Sequence, residues 1–448
     1  MSQARLASCV PLPVDHKALV NVIEKAKDWA LMHGVGMRDR KHFNKDVIQI
    51  APFVLLPSPF PRTEFNKAIE LQPVLNELMH KVAHDEEFLE STLQNALEVD
   101  EFTASLYDIW VKVRNEGIAQ VTPISLGMLR SDIMLESRCP HTENQCAKHT
   151  PYCSWKQVEI NSIASGFGHL GPVSREIQSY IIRQLGHGEL IKNMPENRAL
   201  SGLCAGIIEA YDLFAVPSAV VIFVVEEHVE LAVVYYRSGY EPAQYPSTRE
   251  WDARLRVERS TAIKCPSIQY QLAGTKKVQQ ALAAPGALER FTGAGRAAGR
   301  VRDIFTGLYS LDFDEGGERA VEMALADADR FVLKPQREGG GNNLYGCEVR
   351  DALLRMRHSR ERAAYILMER ILPPLVSGYV VRPGAAVPPP LTDLVSELGI
   401  FGVIIGTKDK IYCNRQVGHM LRTKLADANE GGVAAGLGAL DSPYLLDL

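Results

Sequence analysis

The sequence has few cysteines, no long apolar run and no block of like charge, and each absence argues against a class of protein. Eight cysteines in 448 residues are sparse, which favours reduced thiols over a disulfide framework. No apolar run reaches the ~18 residues that span a bilayer, and the first residues, MSQARLASCVPLPVDHKALV, lack the apolar centre of a signal peptide. The net charge of -5 is spread along the chain, so nothing favours binding to nucleic acid or to an anionic membrane. We therefore expect a soluble protein of the cytoplasm.

Two common nucleotide-binding motifs are also missing. The sequence contains no G-x-x-x-x-G-K-[ST], which excludes the P-loop NTPases. The stretch GAGRAAGR, residues Gly293 to Arg300, has its last glycine one position too late for G-x-G-x-x-G and follows no predicted strand. It is predicted to be a flexible surface loop rather than a dinucleotide-binding turn.

What is present indicates a large globular protein that mixes helices and strands. A chain of 448 residues with 46% hydrophobic content can form two or three lobes around a sizeable core. Apolar spacing predicts a helix from Asp15 to Trp29, a strand from Val47 to Leu56, and two or three helices between Thr63 and Asn115. Further helices and strands follow, so the predicted fold class is α/β in the mixed, α+β sense.

The most informative stretch is RFVLKPQREGGGNNLYG, from Arg330 to Gly346. Its apolar start predicts a short buried strand that ends at Lys334, and three successive glycines then predict a loop that approaches something closely. Backbone N–H groups of such a loop can bind phosphate oxygens, Lys334 adds a positive charge, and Glu338 is placed to hold Mg2+. A mobile surface turn explains the same residues about equally well, because a single Gly-rich loop is a weak signal.

A second candidate lies in WKQVEINSIASGFGHL. In a strand, Glu159 and Asn161 project from the same face, while Val158 and Ile160 turn toward the core. A carboxylate beside an amide oxygen suits Mg2+. A solvated edge strand is the alternative interpretation.

Other residues are placed to bind a nucleotide or a carboxylate. Arg237 ends a strand before a glycine turn and is a candidate carboxylate anchor. Lys276 begins a helix, where a cation needs an anionic partner to offset the helix dipole. The strand AYILMERI, which ends at Ile371, suits an adenine-binding hinge, although a plain core strand has the same pattern. Glu397 begins a further strand, and a second Gly-rich loop covers residues 431–438.

The segment CPHTENQCAKHTPYC concentrates cysteine and histidine. Zinc ligands of the right type lie close together at Cys139, His141, Cys146, His149 and Cys153. Their spacing matches no standard pair of zinc knuckles. A polar surface loop is therefore favoured over a zinc site.

Taken together, these stretches closely resemble a known family. VEINSIASGFG, YYRSGY, CPSIQYQLAGTKKVQQ, RFVLKPQREGGGNNLYG, YILMERI, SELGIFGV, GHMLRTK and GGVAAG are similar, in order, to the motifs of eukaryotic glutathione synthetases, homodimeric members of the ATP-grasp superfamily. The likeness extends from about Arg130 to the C-terminus. It implies an ATP-grasp fold with an inserted substrate-binding domain and a glycine-rich lid. It also implies an ATP- and Mg2+-dependent ligase that joins gamma-glutamylcysteine to glycine.

The resemblance implies a role for each matched residue. The implied Mg2+ ligands are Glu159, Asn161 and Glu338. The implied ATP contacts are Lys276, Lys334, Asn343, Tyr345, Met368, Glu369, Ile371, Glu397 and Lys424, with adenine at 368–371 and the ribose at Glu397. The implied peptide contacts are Arg130, Ser165, Arg237, Tyr240, Arg422, Val433 and Ala434. Arg422 and Lys334 are implied to stabilise the charge that develops during catalysis.

Three departures from the family pattern affect the peptide side. Ile163-Ala164-Ser165-Gly166 stands where the family has Ile-Ser-Ala-Ser, so a hydroxyl contact is lost or displaced onto Ser165. The predicted strands Ala219 to Val225 and Leu231 to Tyr236 are joined by only Glu226 to Glu230. The family has a long segment there, with a glutamate and a glutamine that contact the peptide. The Cys/His-rich segment is not a family feature.

We divide the chain into three regions and keep two alternatives open. Residues 1–130 form a largely helical part of the ATP-grasp body, and residues 131–240 carry substrate binding and the metal pair. Residues 241–448 bind the nucleotide, with Gly-rich loops at 338–346 and 431–438. The first alternative is a ligase that uses another amine such as beta-alanine, although the small residues 433–435 favour glycine. The second is a non-catalytic nucleotide-binding protein, which has no need of a complete Mg2+ site.

Overall fold

The computed structural model describes residues 4–39, 42–118, 123–138, 151–222, 230–338, 341–433 and 436–448. The helices in these ranges are α1 (His16–Met32), α2 (Arg62–Ala83), α3 (Glu86–Leu97), α4 (Glu101–Asn115), α5 (Leu170–Gln184), α6 (Ala199–Phe214), α7 (Thr248–Arg259), α8 (Ile268–Ala273), α9 (Lys276–Leu282), α10 (Ala287–Thr292), α11 (Arg296–Ile304), α12 (Glu315–Ala326) and α13 (Cys347–Met356).

The strands of the same ranges are mostly short, with three long exceptions. They are β1 (Gly36–Met37), β2 (Gln49–Ile50), β3 (Phe53–Val54), β4 (Ser58–Pro61), β5 (Ser125–Glu136), β6 (Ser154–Asn161), β7 (Val220–Ile222), β8 (Leu231–Tyr235), β9 (Ile263–Cys265), β10 (Leu308–Ser310), β11 (Phe331–Pro335), β12 (Leu344–Tyr345), β13 (Tyr365–Glu369), β14 (Val376–Gly378), β15 (Val380–Val381), β16 (Thr392–Gly406), β17 (Ile411–Leu425), β18 (Gly438–Asp441) and β19 (Pro443–Leu446).

The largest sheet has eight strands in the order β15-β3-β18-β17-β16-β5-β6, with β14 paired to β16. The three longest strands, β5, β16 and β17, lie side by side and antiparallel. A second sheet, β10-β13-β11-β12, is antiparallel, and a third, β7-β8-β9, is parallel. The predicted mixed α/β class is confirmed.

Several apolar clusters support these sheets, and two of them flank the four-stranded sheet and the large sheet. The larger cluster joins helices α2 and α4 to the large sheet and includes Leu75, Trp110 and Ile404. A smaller cluster with Phe331 and Leu353 joins the four-stranded sheet to α12 and α13. The short buried strand predicted before the glycine loop is therefore a core strand of the second sheet.

Aspartate side chains cap several helices. Asp15, Asp85, Asp100 and Asp314 each accept a backbone N–H from the first helical turn, an interaction typically worth about 1 kcal/mol. The predicted helix start at Asp15 is confirmed. The helix extends three residues further than predicted, to Met32.

Two local predictions are wrong. The segment from Val47 to Leu56 is not one strand, because it contains β2 and β3, which belong to different sheets. Most of GAGRAAGR is helical rather than a loop. It belongs to α11, whose residues Ala298, Val301 and Ile304 are buried on one face.

The three regions predicted from the sequence share the large sheet. It takes strands from all three, and β5 crosses the boundary proposed at residue 130. Within the described ranges, no helix is long and apolar enough to cross a bilayer.

Five of the six described cysteines follow the expectation of reduced thiols. Cys9, Cys204, Cys265, Cys347 and Cys413 are free, whereas Cys153 is disulfide-bonded. The other residues of the Cys/His-rich segment, Cys139 to His149, lie outside the described residues, as does most of the short connection from Glu226 to Glu230.

Candidate active site

A cavity of about 470 Å³ lies between the large sheet and the four-stranded sheet, within the size range of small-molecule sites. Residues of β5, β6, β16 and β17 line one side, and residues of β11, β12 and β13 line the other. Most of the predicted site residues line it: Arg130, Glu159, Asn161, Tyr240, Lys334, Glu338, Asn343, Tyr345, Met368, Glu369, Ile371, Glu397, Arg422 and Lys424. The fold thus brings residues from distant parts of the sequence into one site.

Two carboxylates beside the cavity share one lysine. Lys276 Nζ lies 3.0 Å from Glu159 Oε2 and 3.0 Å from Glu338 Oε1. Burial would raise the pKa of Glu159, but the positive charges of Lys276, Lys334 and Arg422 outweigh it and hold that pKa below its usual value. Burial raises the pKa of Glu338 to about 7, because Lys276 is shared with Glu159 and compensates only in part. The charge of an ionised Glu338 is therefore incompletely compensated, which is the condition that a bound cation relieves.

A β-bulge in β6 sets the direction of these side chains. The register with β5 shifts just after Asp132, so that Val158 is an extra residue in β6. Ile160 is buried in the core, whereas Val158, Glu159 and Asn161 line the cavity. The prediction that Glu159 and Asn161 share a face is confirmed. The prediction that Val158 faces the core is wrong, because the bulge interrupts the alternation.

The bulge also provides a partner for Lys334. The Lys334 ammonium group is buried and donates to the Val158 carbonyl at 3.0 Å, and burial lowers its pKa. Asn161 Nδ2 donates to Asp132 Oδ2 at 3.0 Å, so the amide oxygen of Asn161 is the atom left for the cavity. Two carboxylates and an amide oxygen are the donor types that Mg2+ prefers, and the residues present therefore fit that ion.

Charged side chains on β5, β16 and β17 form an ion-pair network. Arg130 donates to both carboxylate oxygens of Asp132, at 2.6 and 2.7 Å. Arg422 donates to Glu397 at 2.5 Å and lies 3.6 Å from Asp132. Burial raises the pKa of Glu397. Among the described residues, the buried Nε of Arg422 has no hydrogen-bond partner, so this N–H is available to a ligand.

The predicted adenine hinge is the end of β13. This strand pairs with β10 and β11, and the N–H of Arg370 then donates to the Arg330 carbonyl at 2.8 Å. Ile371 follows outside the strand and lines the cavity together with Met368 and Glu369. An apolar wall beside a strand end is an arrangement that can bind the edge of a purine.

The two Gly-rich loops meet at the cavity through Glu430. Its carboxylate accepts the backbone N–H groups of Gly341 and Asn343, the latter at 3.2 Å. Lys424 Nζ donates to the Asn429 carbonyl in the same loop, at 2.5 Å. One carboxylate therefore holds the first glycine loop against the second.

The loop that follows β6 forms another wall of the cavity and contains strained backbone. Ala164 and Phe167 have positive φ angles of 50° and 75°, which non-glycine residues seldom adopt outside functional sites. Both residues line the cavity. The carbonyl of Gly166 accepts from Arg130 at 3.2 Å, so the loop is fixed to the ion-pair network.

Two predicted residues lie near this loop but outside the cavity lining. Ser165 is buried, and its hydroxyl lies within hydrogen-bond distance of the Met128 and Asn161 carbonyls, at 3.2 and 3.4 Å. Arg237 is exposed and donates to the Ala164 carbonyl at 3.1 Å. To make the predicted peptide contacts, Ser165 and Arg237 must give up these hydrogen bonds to backbone carbonyls.

Three further predicted residues are also absent from the lining. Lys276 lies behind the carboxylates that it joins. Val433 is buried in a core cluster, and Gly431 and Gly432 line the cavity in its place. Ala434 lies outside the described residues.

Sequence reasoning did not select Asp132 and Glu430 as site residues. Asp132 is fully buried between two arginines, and its spacing of two residues from Arg130 on a strand was a usable signal. Glu430 had no comparable signal, because a glutamate beside glycines is an ordinary loop residue.

A family model and several known proteins that match this chain all belong to one family. The family model described as "Eukaryotic glutathione synthase, ATP binding domain" matches residues 16–445. The chain is 39% identical to mouse glutathione synthetase over 477 aligned positions, covering 96% of this chain and 98% of the mouse protein. Human glutathione synthetase is 40% identical over 481 positions, with the same coverage. Chloroplastic glutathione synthetase of Arabidopsis thaliana is 34% identical, covering 97% of this chain and 86% of that protein.

A solved structure shares the fold. The glutathione synthetase-like effector GSS30 from Globodera pallida, in apo form, superposes with a TM-score of 0.72 at 23% identity, covering 98% of this chain and all of that chain. The alignment with the mouse protein spans 477 positions, whereas this chain has 448 residues. The mouse protein therefore has residues without a counterpart here.

Proposed function

Because the chain belongs to the eukaryotic glutathione synthetase family, we propose that it is an ATP-dependent ligase that joins gamma-glutamylcysteine to glycine and forms glutathione, ADP and phosphate. The observation that carries this proposal is the single cavity in which the candidate nucleotide residues of the four-stranded sheet face the candidate peptide residues of the large sheet. An ATP-driven ligase needs that arrangement, since the phosphoryl group must reach the acyl acceptor.

The chemistry accounts for the residue types in the cavity. A carboxylate is a poor electrophile, so the γ-phosphoryl group of ATP is first transferred to the cysteinyl carboxylate, which gives an acyl phosphate and ADP. The glycine amine then attacks the carbonyl carbon, the C–N bond forms, and phosphate leaves with the electrons of the C–O bond as the amine loses a proton. Both steps place negative charge on oxygen atoms, which fixed cations stabilise.

Arg422 is the residue that we assign to the developing charge of the acyl phosphate. It is anchored by Glu397 and Asp132, and its buried Nε is available to a ligand. Lys334 and Lys276 are assigned to the nucleotide phosphates. A cation held in place by fixed partners does not have to reorganise during the reaction.

Glu159, Asn161 and Glu338 are the residues assigned to Mg2+. When bound, Mg2+ would neutralise phosphate charge and orient the transferring group. The position of both carboxylates around Lys276 and the incomplete compensation of an ionised Glu338 support this assignment.

The remaining contacts follow from their position in the cavity. Residues 368–371 are assigned to adenine, Glu397 to the ribose, Asn343 and Tyr345 to the glycine-loop side of the nucleotide, and Lys424 to a further ATP contact. Of the residues assigned to the peptide, Arg130 and Tyr240 line the cavity, whereas the assignment of Ser165, Arg237, Val433 and Ala434 rests on the family resemblance alone. We also propose a homodimer located in the cytoplasm, as the resemblance implies.

The proposal is tested by phosphate release with ATP, Mg2+ and gamma-glutamylcysteine in the presence of glycine, beta-alanine or no amine. We expect release that depends on glycine, and detection of glutathione as product. Greater release with beta-alanine would identify the alternative amine. No amine-dependent release with either would refute the ligase function and favour a non-catalytic nucleotide-binding protein.

A further inference from the structure

Hydrogen bonds to neighbouring elements fix the turn at residues 336–338, which precedes the three glycines 339–341. The Gln336 side chain accepts the backbone N–H of Lys277 at 3.0 Å, next to the lysine that joins the two candidate metal carboxylates. The Gln336 backbone N–H donates to Ala364 at 3.2 Å, and the Arg337 N–H donates to Pro335 at 2.8 Å. Glu338 therefore follows a turn whose path is set by neighbouring elements.

An ion pair fixes this turn to the helical layer. The guanidinium group of Arg337 donates to Asp100 Oδ2 and also to its own neighbour, the Gln336 carbonyl, at 2.7 Å. Asp100 is 4% exposed, whereas the Arg337 side chain is 27% exposed. A pair this enclosed is less screened by solvent than a surface pair.

The other carboxylate oxygen of Asp100 caps a helix. Oδ1 accepts the N–H of Thr103 at 2.8 Å and caps α4. One side chain thus joins the start of a helix in the large apolar core to the residue next to Glu338. The helix start gives the anchor a fixed position.

We propose that Asp100 is a positioning residue for the metal site, which acts through Arg337 to hold Glu338 facing Glu159 across Lys276. This inference rests on the proposed function, since it takes Glu338 as a Mg2+ ligand. Asp100 is far from Glu338 in the sequence and does not line the cavity, so its effect on the ligands is indirect. Residues that orient metal ligands typically change metal affinity by about 10- to 100-fold when replaced.

The test measures metal binding directly. Mn2+ replaces Mg2+, and its affinity for the full-length protein with a non-hydrolysable ATP analogue is followed by electron paramagnetic resonance. Asp100→Asn keeps a capping oxygen but places an amide N–H against Arg337, and Arg337→Gln leaves the cap intact. We expect each variant to weaken Mn2+ binding by about tenfold, with an unchanged KM for gamma-glutamylcysteine.

A neighbouring ion pair provides the matched control. Glu98 and Arg360 pair between nearby segments, but their side chains are 49% and 76% exposed and neither lies next to a candidate ligand. Glu98→Gln should leave Mn2+ affinity unchanged. The double variant Asp100→Asn/Arg337→Gln should bind Mn2+ as weakly as either single variant, because both changes remove the same interaction.

The outcomes separate this inference from the proposed function. Wild-type Mn2+ affinity in Arg337→Gln, or additive losses in the double variant, would overturn the positioning role even if the wild-type protein forms glutathione. Absence of glutathione formation by the wild-type protein would instead refute the function. Melting temperatures of all variants show which of them are folded. If Asp100→Asn does not fold, Arg337→Gln alone decides the outcome.

Discussion

Replacing Lys276 with methionine tests the charge balance of the candidate metal site. The ammonium group lies 3.0 Å from both Glu159 and Glu338. At an effective dielectric constant of about 20, each contact is an attraction of about 5 kcal/mol. Desolvation offsets part of this attraction, and removal of one partner of a buried pair typically costs about 3–5 kcal/mol. We expect the free energy of unfolding of Lys276→Met to fall by that amount at pH 8.

The loss of stability in Lys276→Met should depend on pH, and the pKa shifts of the carboxyl groups determine whether it grows or shrinks as the pH rises. Burial already raises the pKa of Glu338, and loss of the compensating charge of Lys276 raises it further above the unfolded value, so the folded variant retains a proton that the unfolded chain releases. A carboxyl group of this kind contributes stability at low pH that is lost as the pH rises through the folded pKa. Each such group changes the free energy of unfolding by about 1.4 kcal/mol per pH unit. The loss should therefore be small at pH 5 and reach its full value near pH 8.

The assay is urea-induced unfolding at pH 5, 6.5 and 8, with EDTA and with saturating Mg2+. Lys277→Met is the matched control, because Lys277 is equally buried and pairs with one carboxylate, Asp312, at 2.6 Å. Mg2+ should restore stability to Lys276→Met but not to Lys277→Met, since only the first variant leaves two carboxylates at the candidate metal site. An equal loss at pH 5 and pH 8, or no response to Mg2+, would refute the reasoning.

Two further predictions concern turnover and acid stability. Arg422→Ala should lower kcat by about 100- to 1,000-fold, the usual effect of removing a fixed donor to developing charge. In the same phosphate-release assay, near-normal turnover would remove Arg422 from the mechanism. His80 is buried between the Tyr270 hydroxyl and the Thr407 carbonyl, and burial lowers its pKa from 6.5 to about 4. Its contribution is present above pH 6.5 and lost as the pH falls toward 4, so unfolding curves should show an acid loss of about 3 kcal/mol from this residue, and His80→Gln should reduce that slope.

Much of the site could be predicted because its parts have local signatures. Three glycines after Lys334, an amphipathic helix start at Lys276 and a strand ending at Ile371 each depend on residues a few positions apart. Comparison with a known family then placed these parts in one site. The cavity is consistent with that grouping.

The failures have a different physical origin, since they depend on contacts between distant segments. The GAGRAAGR stretch has the glycine content of a loop, but Val301 and Ile304 become buried, and the tertiary contacts outweigh the weak helix propensity of Gly299. The family resemblance placed Val433 in a loop over the peptide, yet its side chain packs in the core. Local composition does not show which side of a loop faces inward.

The bulge at Val158 explains why one prediction on β6 is confirmed and another is wrong. Regular alternation would place Glu159 and Asn161 on the face of Trp155, which is buried in the core. One extra residue moves both to the cavity and directs the Val158 carbonyl to Lys334 at 3.0 Å. The same irregularity therefore orients the candidate metal ligands and fixes Lys334, which is assigned to the nucleotide phosphates. Trp155 and Glu159 are four residues apart, so a regular strand would place both on the same face. A strand that buries Trp155 and presents Glu159 to the cavity must therefore break its period of two, and the sequence pattern alone gives no sign of where the break lies.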